Sequence, residues 1–123
     1  MEVKVMHIKK PTVVKAAGNK PKIIEEFIGR INTGTDQISI AHMTSPAGWE
    51  EPPQTPDFVE YTYVIRGIVH VKISHETITV GPNEIFVSRK GQTVQYSTPE
   101  EGGAEYIAVC TPAFSQELAG REE

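Results

Sequence analysis

An all-β sandwich or barrel is the fold class that this sequence predicts, and three observations support it. Apolar and polar residues alternate with a period of two in successive runs, as they do in half-buried strands. Turn signals recur roughly every 8 to 12 residues, and the chain contains 10 Gly and 9 Pro. Helical periodicity is sparse, and 123 residues without an internal repeat or linker fit one domain.

The predicted strands follow one another along most of the chain. In chain order they cover residues 2–8, 36–43, 59–67, 68–74, 77–81, 84–88, 93–97 and 104–110. Residues 21–31 are compatible with a helical turn or a strand, and we favour a strand or irregular structure. The polar tail "SQELAGREE" predicts a frayed end or a short C-terminal helix.

Two of these strands have faces of different character. In 59–67, one face carries Glu60, Thr62 and Val64, and the other carries Tyr61, Tyr63 and Ile65. We interpret Tyr61 and Tyr63 as packing or interface residues. In 36–43, one face carries Ile38, Ile40 and His42, and the other carries Ser39, Ala41 and Met43.

Composition argues against two classes of partner. Lys and Arg total 12 and Asp and Glu total 16, so the net charge is -4. We therefore expect neither nucleic acid nor a membrane as a partner, since both favour a basic surface, and no apolar run approaches the roughly 20 residues of a membrane span. The N-terminus lacks the apolar region of a signal peptide. A single cysteine, Cys110, fits a reducing cytoplasm, and we interpret it as a buried core thiol.

The stretch "GWEEPPQTPDFVEYTYVIRG" has a distinctive spacing. Gly48 is followed after five residues by Gln54, then after one by Pro56, after three by Glu60 and after six by Gly67. This pattern resembles the first cupin motif, in which two His stand where Gln54 and Pro56 stand here. The second cupin motif is matched in spacing by Asn83, Arg89, Gly91, Val94 and Thr98, where the family has Gly, Pro, Gly, His and Asn.

On this spacing the chain resembles the cupin superfamily, which implies a double-stranded β-helix, the cupin jelly-roll barrel. Within it, "RKGQTVQYSTP" and "EYIAVCTPAFS" are similar to the final strands of the ethanolamine-utilization EutQ family. That resemblance implies a role in microcompartment-associated ethanolamine metabolism. The acetate-kinase activity proposed for EutQ is not carried over, because no phosphate-cradling glycine loop is found.

The resemblance also locates the metal-binding positions of the family, and these have lost their ligands. The four positions hold Gln54, Pro56, Glu60 and Val94 instead of three His and one Glu. One carboxylate and one amide are a poor transition-metal site, so we expect no metal and no other cofactor. Of the four histidines, His42 alone is placed where it could reach the cavity. The alternative is a histidine satisfied elsewhere or at an interface.

Glu60 is the predicted catalytic residue. The motif places it inside the barrel without a metal to neutralise it, so it must be protonated, hydrogen-bonded or paired. The candidate partners are Gln54, Thr62, Tyr96 and Arg89. A carboxyl with a raised pKa serves as a general acid or base near neutral pH. The alternative is a structural Glu that orders the loop 48–56.

Three further residues are candidate ligand contacts. Tyr96 shares a strand face with Val94, so it is expected to line the cavity. Trp49, in a proline-stiffened loop, is either a lid that stacks on a ligand or a residue packed against the outer sheet or another subunit. Arg89, beside Lys90, is either a grip for an anionic substrate or part of a solvated surface pair.

Two functional hypotheses from different classes follow. The first is a metal-independent cupin that binds an unknown small molecule in a solvent-filled pocket, with acid–base chemistry through Glu60. The second is a non-enzymatic structural or regulatory dimer with a filled barrel. A metal-dependent cupin with displaced ligands is a third, outside alternative.

The expected organisation is a single cupin domain over 1–123, with a core at about 33–114 and a short polar C-terminal tail. Small cupins pair through N-terminal strands and one sheet face. The N-terminal strand 2–8 and the Tyr61/Tyr63 face would supply these elements, so we expect a homodimer.

Overall fold

The computed structural model describes residues 5–122 and has two facing β-sheets. In this part of the chain the strands are β1 (Thr12–Val14), β2 (Ile23–Ile28), β3 (Ser39–Ser45), β4 (Trp49–Glu50), β5 (Val59–Gly67), β6 (Val69–Ile73), β7 (Glu76–Val80), β8 (Ile85–Ser88), β9 (Gln95–Thr98) and β10 (Ala104–Thr111). One short helix, α1 (Gln116–Ala119), follows them. The predicted all-β jelly roll is confirmed.

The sheets have six and four strands. Their orders are β1-β2-β3-β10-β5-β8 and β4-β9-β6-β7, and the strand pairs are antiparallel. The chain crosses between the sheets at the tight β5–β6 junction, where Gly67 adopts a positive φ of 80°. This crossing places the inner face of β5 opposite β9.

Alternation along β5 sets the two environments of the six-stranded sheet. Glu60, Thr62 and Val64 are buried between the sheets, whereas Tyr61 and Tyr63 are exposed on the outer face. The parity predicted for this strand is therefore confirmed. The main core cluster fills the interior with Trp49, Val64, Val69, Val71, Val80, Phe86, Val94, Tyr96, Ala104 and Tyr106.

A second, smaller cluster attaches the C-terminal segment to the barrel. Phe58, Cys110 and Ala119 are buried together, with Phe114 and Leu118 packed against them. Ser115 is the N-cap of α1, and its side chain accepts a hydrogen bond from the Leu118 amide. Gly120 is the C-cap and adopts a positive φ of 60°. Of the two alternatives for the tail, the short helix is the one observed.

The N-terminal prediction was wrong where it can be compared. Residues 2–4 lie outside the described residues, and residues 5–8 form no strand, with Val5 86% exposed. In the described part of the pattern, residues 5–8 meet no partner strand, and alternation without a partner does not make a sheet. The first described strand is β1, which pairs with β2. Residues 21–31 do contain a strand, β2, as favoured.

Within residues 5–122, no helix is long and apolar enough to cross a membrane.

Candidate functional site in the barrel

A cavity of about 50 Å³ lies between the two sheets. A buried water needs roughly 10–15 Å³ measured in this way, so the space holds a few waters or a molecule of only several non-hydrogen atoms. Part of its lining is apolar and includes Ile24, Ala41, Met43, Tyr106 and Ala108. The rest of the lining is polar, and its acids, amide and hydroxyls determine what the cavity can bind.

Glu60 is buried between the sheets and lines the cavity, at the position predicted from the motif. Its register partners on the neighbouring strands are Ser88 on β8 and Cys110 on β10. Burial raises the pKa of the Glu60 carboxyl, and the positive charge of Lys22 opposes the rise without cancelling it. The Glu60 Oε1 atom has no hydrogen-bond partner within residues 5–122. Glu60 is therefore a buried acid with a raised pKa and one oxygen available to a ligand.

Glu51 is a second buried acid of the cavity, and the sequence analysis missed it. Its backbone amide donates to the Tyr96 carbonyl (3.2 Å), which fixes the residue beside β9. Burial raises the pKa of Glu51 to about 7, with Lys22 lowering it and the nearby Glu60 raising it further. The available signal was alternation after Gly48, because Trp49 and Glu51 point inward while Glu50 points outward.

Gln54 and Tyr96 complete the acceptor-rich end of the cavity. The Gln54 backbone exchanges two 2.9 Å hydrogen bonds with Val94, which turns its side chain into the barrel. Neither Gln54 Oε1 nor the Tyr96 hydroxyl has a partner of ordinary hydrogen-bond geometry in the described residues. Burial, then the charges of Glu60 and Glu51, raises the pKa of Tyr96, so the phenol stays protonated. Thr62 also lines the cavity.

Two cations enter the cavity from outside the motif region. The Lys22 ammonium lies 4.0 Å from the centroid of the Trp49 ring and 5.1 Å from that of Tyr106. Arg121 reaches in from the segment after α1, and its Nε is buried without a partner in residues 5–122. Both positions depend on long-range packing, so no local sequence signal identifies them.

The predicted placement of His42 in the cavity is wrong. β3 turns Ser39, Ala41 and Met43 inward, so His42 faces outward. There its ring bonds to Glu25 (3.2 Å) and Glu105 (2.6 Å) on the neighbouring strands. Hydrophobicity alone would favour the face with Ile38 and Ile40 as the inward one. The face with Ser39 and Ala41 points inward instead, and these small side chains leave the space that forms the cavity.

Trp49 and Arg89 also differ from the predicted contacts. Trp49 is 1% exposed in the main core, where its indole NH donates to the Ala17 carbonyl (3.0 Å), so it is no lid. Arg89 is exposed and does not line the cavity, so it is not a partner of Glu60. Cys110 is buried in the cavity wall, as its interpretation as a core thiol required, and burial raises its pKa.

Comparison with known proteins gives one curated relative by sequence and many by structure. No protein-family model matches the chain. The curated relative is a Myxococcus xanthus (strain DK1622) protein named endoribonuclease YbeY, 38% identical over 101 residues. The match covers 82% of this chain but 34% of that protein, so the chain spans about a third of its relative.

The solved structures share the architecture at low identity. The Bacillus subtilis oxalate decarboxylase variant W96Y superimposes with a TM-score of 0.76 at 18% identity, over 98% of this chain and 33% of that one. The Clostridium difficile EutQ protein gives 0.65 at 19% identity, over 83% and 73%. This chain has the cupin fold. The predicted resemblance to EutQ is confirmed at the level of the fold.

The positions that match the metal-binding positions of the cupin motifs do not fit a metal ion. Val94 packs in the main core, Pro56 is buried, and neither carries a ligand atom in its side chain. Glu60 and Gln54 remain as one carboxyl and one amide, and residues 5–122 contain no group of three or more His, Cys, Asp or Glu arranged to hold a metal. No histidine reaches the cavity from elsewhere in this range, which includes all four.

Proposed function

We propose that this cupin binds a small polar molecule inside its barrel and performs acid–base chemistry on it through Glu51 and Glu60. The observation that carries the proposal is a group of unpartnered buried atoms. They are Glu51 Oε2, Gln54 Oε1, Glu60 Oε1 and Arg121 Nε, and their residues all line one cavity. An unpartnered buried polar atom costs about 1–3 kcal/mol, so four together favour a polar occupant.

The two acids suit different steps of a proton transfer. The pKa of Glu51, about 7, lets it both accept and donate a proton near neutral pH. Burial also raises the pKa of Glu60, which lies between Ser88 and Cys110 on the neighbouring strands, while Lys22 and Arg121 lower it. Unequal environments for two neighbouring carboxyls are the arrangement that separates acid from base in enzymes.

A structural cupin with a filled barrel is the second candidate, and the small cavity favours it. Only about 50 Å³ is open, with Phe58, Phe114 and Arg121 forming part of the wall. A filled structural barrel is nevertheless expected to pair its own polar groups. Unpaired buried acids lower the stability of the fold, and a barrel without a ligand gains no binding energy that offsets this loss. The unpaired acids make the binding function the better supported of the two.

A ligand screen tests the proposal. Small polyols, amines, carboxylates and zwitterions are titrated into the protein and followed by isothermal calorimetry. We expect saturable binding by at least one class, weakened at least tenfold by Glu60→Gln, since the Gln side chain cannot exchange a proton. Glu76→Gln, the same change at an exposed hairpin position, serves as the control. If Glu60→Gln leaves the affinity unchanged, or if no ligand class binds, the filled barrel is supported instead.

We also propose that the outer face of the six-stranded sheet pairs two copies of the chain. Tyr61, Tyr63, Ile65, Ile85 and Val87 are exposed there, and the register sets Tyr61 beside Val87 and Tyr63 beside Ile85. Such a contiguous apolar surface is uncommon on a monomer. The proposal now rests on this face alone, because residues 5–8 provide no strand.

Sedimentation equilibrium is expected to give a dimer at micromolar concentration. Ile85→Glu, at a side chain 60% exposed in one chain, would place a charge in the paired face and shift the population to monomer. Ile31→Glu makes the same change at an exposed apolar residue in the turn after β2, outside the sheet, and it is expected to leave the dimer intact. A wild-type protein that sediments as a monomer contradicts the proposal.

A further inference from the structure

The residues that follow β10 cross one end of the barrel and close the cavity. We define residues 115–122 as the C-terminal strap. Its backbone bonds to the loop before β5, with Thr55 donating to Gly120 (3.0 Å), Asp57 to Leu118 (2.8 Å) and Glu122 to Pro53 (2.9 Å). Ala119 and Leu118 of the strap pack on Phe58. The strap is thus a continuation of the barrel wall beside Gln54.

The strap brings Arg121 into the cavity. The guanidinium is anchored from outside, because Nη1 donates to Gln116 Oε1 (2.6 Å) and the group lies 5.4 Å from the centroid of the Phe114 ring. Its Nε proton is buried and has no acceptor within the described residues. An anchored guanidinium with one free donor is a preorganised contact for an oxygen of a ligand.

The free atoms of Glu51, Gln54 and Glu60 are acceptors or become acceptors on ionisation, whereas the Tyr96 hydroxyl can donate or accept. Gln54 Oε1 accepts only, and the free oxygens of Glu51 and Glu60 accept whenever the acids are ionised. Glu51, Glu60 and Gln54 do not reach Arg121 Nε with a hydrogen bond, so a gap separates the donor from the acceptors. A molecule that fills the gap must offer an acceptor at one end and donors at the other.

We propose that the barrel ligand is a short zwitterion, with a carboxylate facing Arg121 and an ammonium facing Glu51, Gln54 and Glu60. This inference rests on the proposed function of the cavity. The size agrees, because about 50 Å³ admits only several non-hydrogen atoms, as in glycine or β-alanine. Ala41 and Ala108 in the cavity lining leave room for a hydrocarbon portion, and their side chains offer it no polar partner.

The proposal has a proton-linked consequence. An ammonium beside Glu51 and Glu60 favours their ionised forms, so binding at pH 7 is expected to release protons to the buffer. The other titratable groups facing these acids are Lys22, Arg121 and Tyr96, with Cys110 beside Glu60. The raised pKa of Tyr96 keeps the phenol neutral, so we assign the release to the two acids.

Calorimetry with β-alanine and its two half-molecules tests the ligand class. Ethylamine is β-alanine without its carboxylate, and propionate is β-alanine without its amine. We expect β-alanine to bind at least tenfold more tightly than either half. Titration in buffers of different ionisation enthalpy should show proton release on β-alanine binding and no release with propionate.

Two matched arginine variants test the role of the strap. Arg121→Lys keeps the charge but has no Nε, and it is expected to weaken β-alanine at least tenfold while leaving ethylamine unchanged. Arg89→Lys is the control, since Arg89 is exposed and away from the cavity. Thermal melting of each variant is measured to check that it is folded.

The outcomes separate this inference from the proposed function. Equal binding of β-alanine and ethylamine, or no effect of Arg121→Lys, overturns the zwitterion. If ethylamine or another probe still binds and Glu60→Gln weakens it, the small-molecule site remains. Absence of binding by all three probes overturns the zwitterion as well, and the wider screen then decides whether the cavity has any ligand.

Discussion

Replacement of Gly67 by alanine is expected to cost more than about 3 kcal/mol, a large share of the about 5–15 kcal/mol by which small domains are stable. Gly67 ends β5 with a φ of 80°, in the left-handed region where a side chain costs about 1–2 kcal/mol. A Cβ there would also overlap the Gly103 carbonyl oxygen and lie 2.8 Å from the Ala104 Cα. These are backbone atoms at the start of β10, so they cannot rotate away. Urea unfolding followed by tryptophan fluorescence measures the loss.

Gly91 provides a matched control for this prediction. It has nearly the same backbone conformation, with a φ of 79°, but a Cβ there meets no atom within 4 Å. Gly91→Ala is therefore expected to cost only the conformational part, about 1–2 kcal/mol. Equal losses for the two variants would mean that conformation, and not the contact with β10, explains the requirement for glycine at Gly67.

The fold could be predicted from the sequence because its signals are local. Alternation within β5 and β6, together with Gly67 at their junction, specifies two strands and a tight turn from neighbouring residues. The spacing from Gly48 to Gly67 then identified the cupin arrangement. The N-terminal pattern failed because a strand also needs a partner, and pairing is a long-range property that alternation over 2–8 does not contain.

The candidate site was predicted where strand parity decides the answer. Glu60, Thr62 and Tyr96 were placed in the cavity because the inward face of β5 and β9 follows once one residue is assigned. Strand parity could not decide whether His42 enters the cavity. Alternation separates the two faces of β3 but does not say which is inward, and here the inward face carries the small side chains.

Two cations of the cavity, Lys22 and Arg121, could not be identified from local sequence. Lys22 precedes β2, and Arg121 follows α1, so each reaches the cavity through packing between segments distant in sequence. Neither lies within the cupin motifs, and the resemblance therefore did not include them. These two cations are nevertheless the groups that oppose the rise in the pKa of Glu51.

The buried acids are expected to make the protein less stable as the pH rises from 4.5 to about 8. In the folded state the pKa of Glu51 is about 7, against 4.5 for an ordinary Glu, so between these values the folded protein holds a proton that the unfolded chain has released. The stabilisation that this proton contributes to the folded state is therefore fully present below pH 4.5 and is lost as the pH rises through about 7. A shift of this size corresponds to about 3 kcal/mol at most. The raised pKa of Glu60 acts in the same direction.

Glu51→Gln isolates this contribution because glutamine has nearly the same shape and no charge to desolvate. We expect the variant to lose less stability than the wild type between pH 5 and pH 8, and to unfold at a higher urea concentration at pH 8. The exposed Glu76→Gln should follow the wild-type curve, since that carboxyl is solvated in both states. If the wild type is instead more stable at pH 8 than at pH 5, and Glu51→Gln reduces that gain, then Glu51 is ionised and paired in the folded protein. A paired Glu51 could not hold a proton at neutral pH, and the acid–base role proposed for it would be lost.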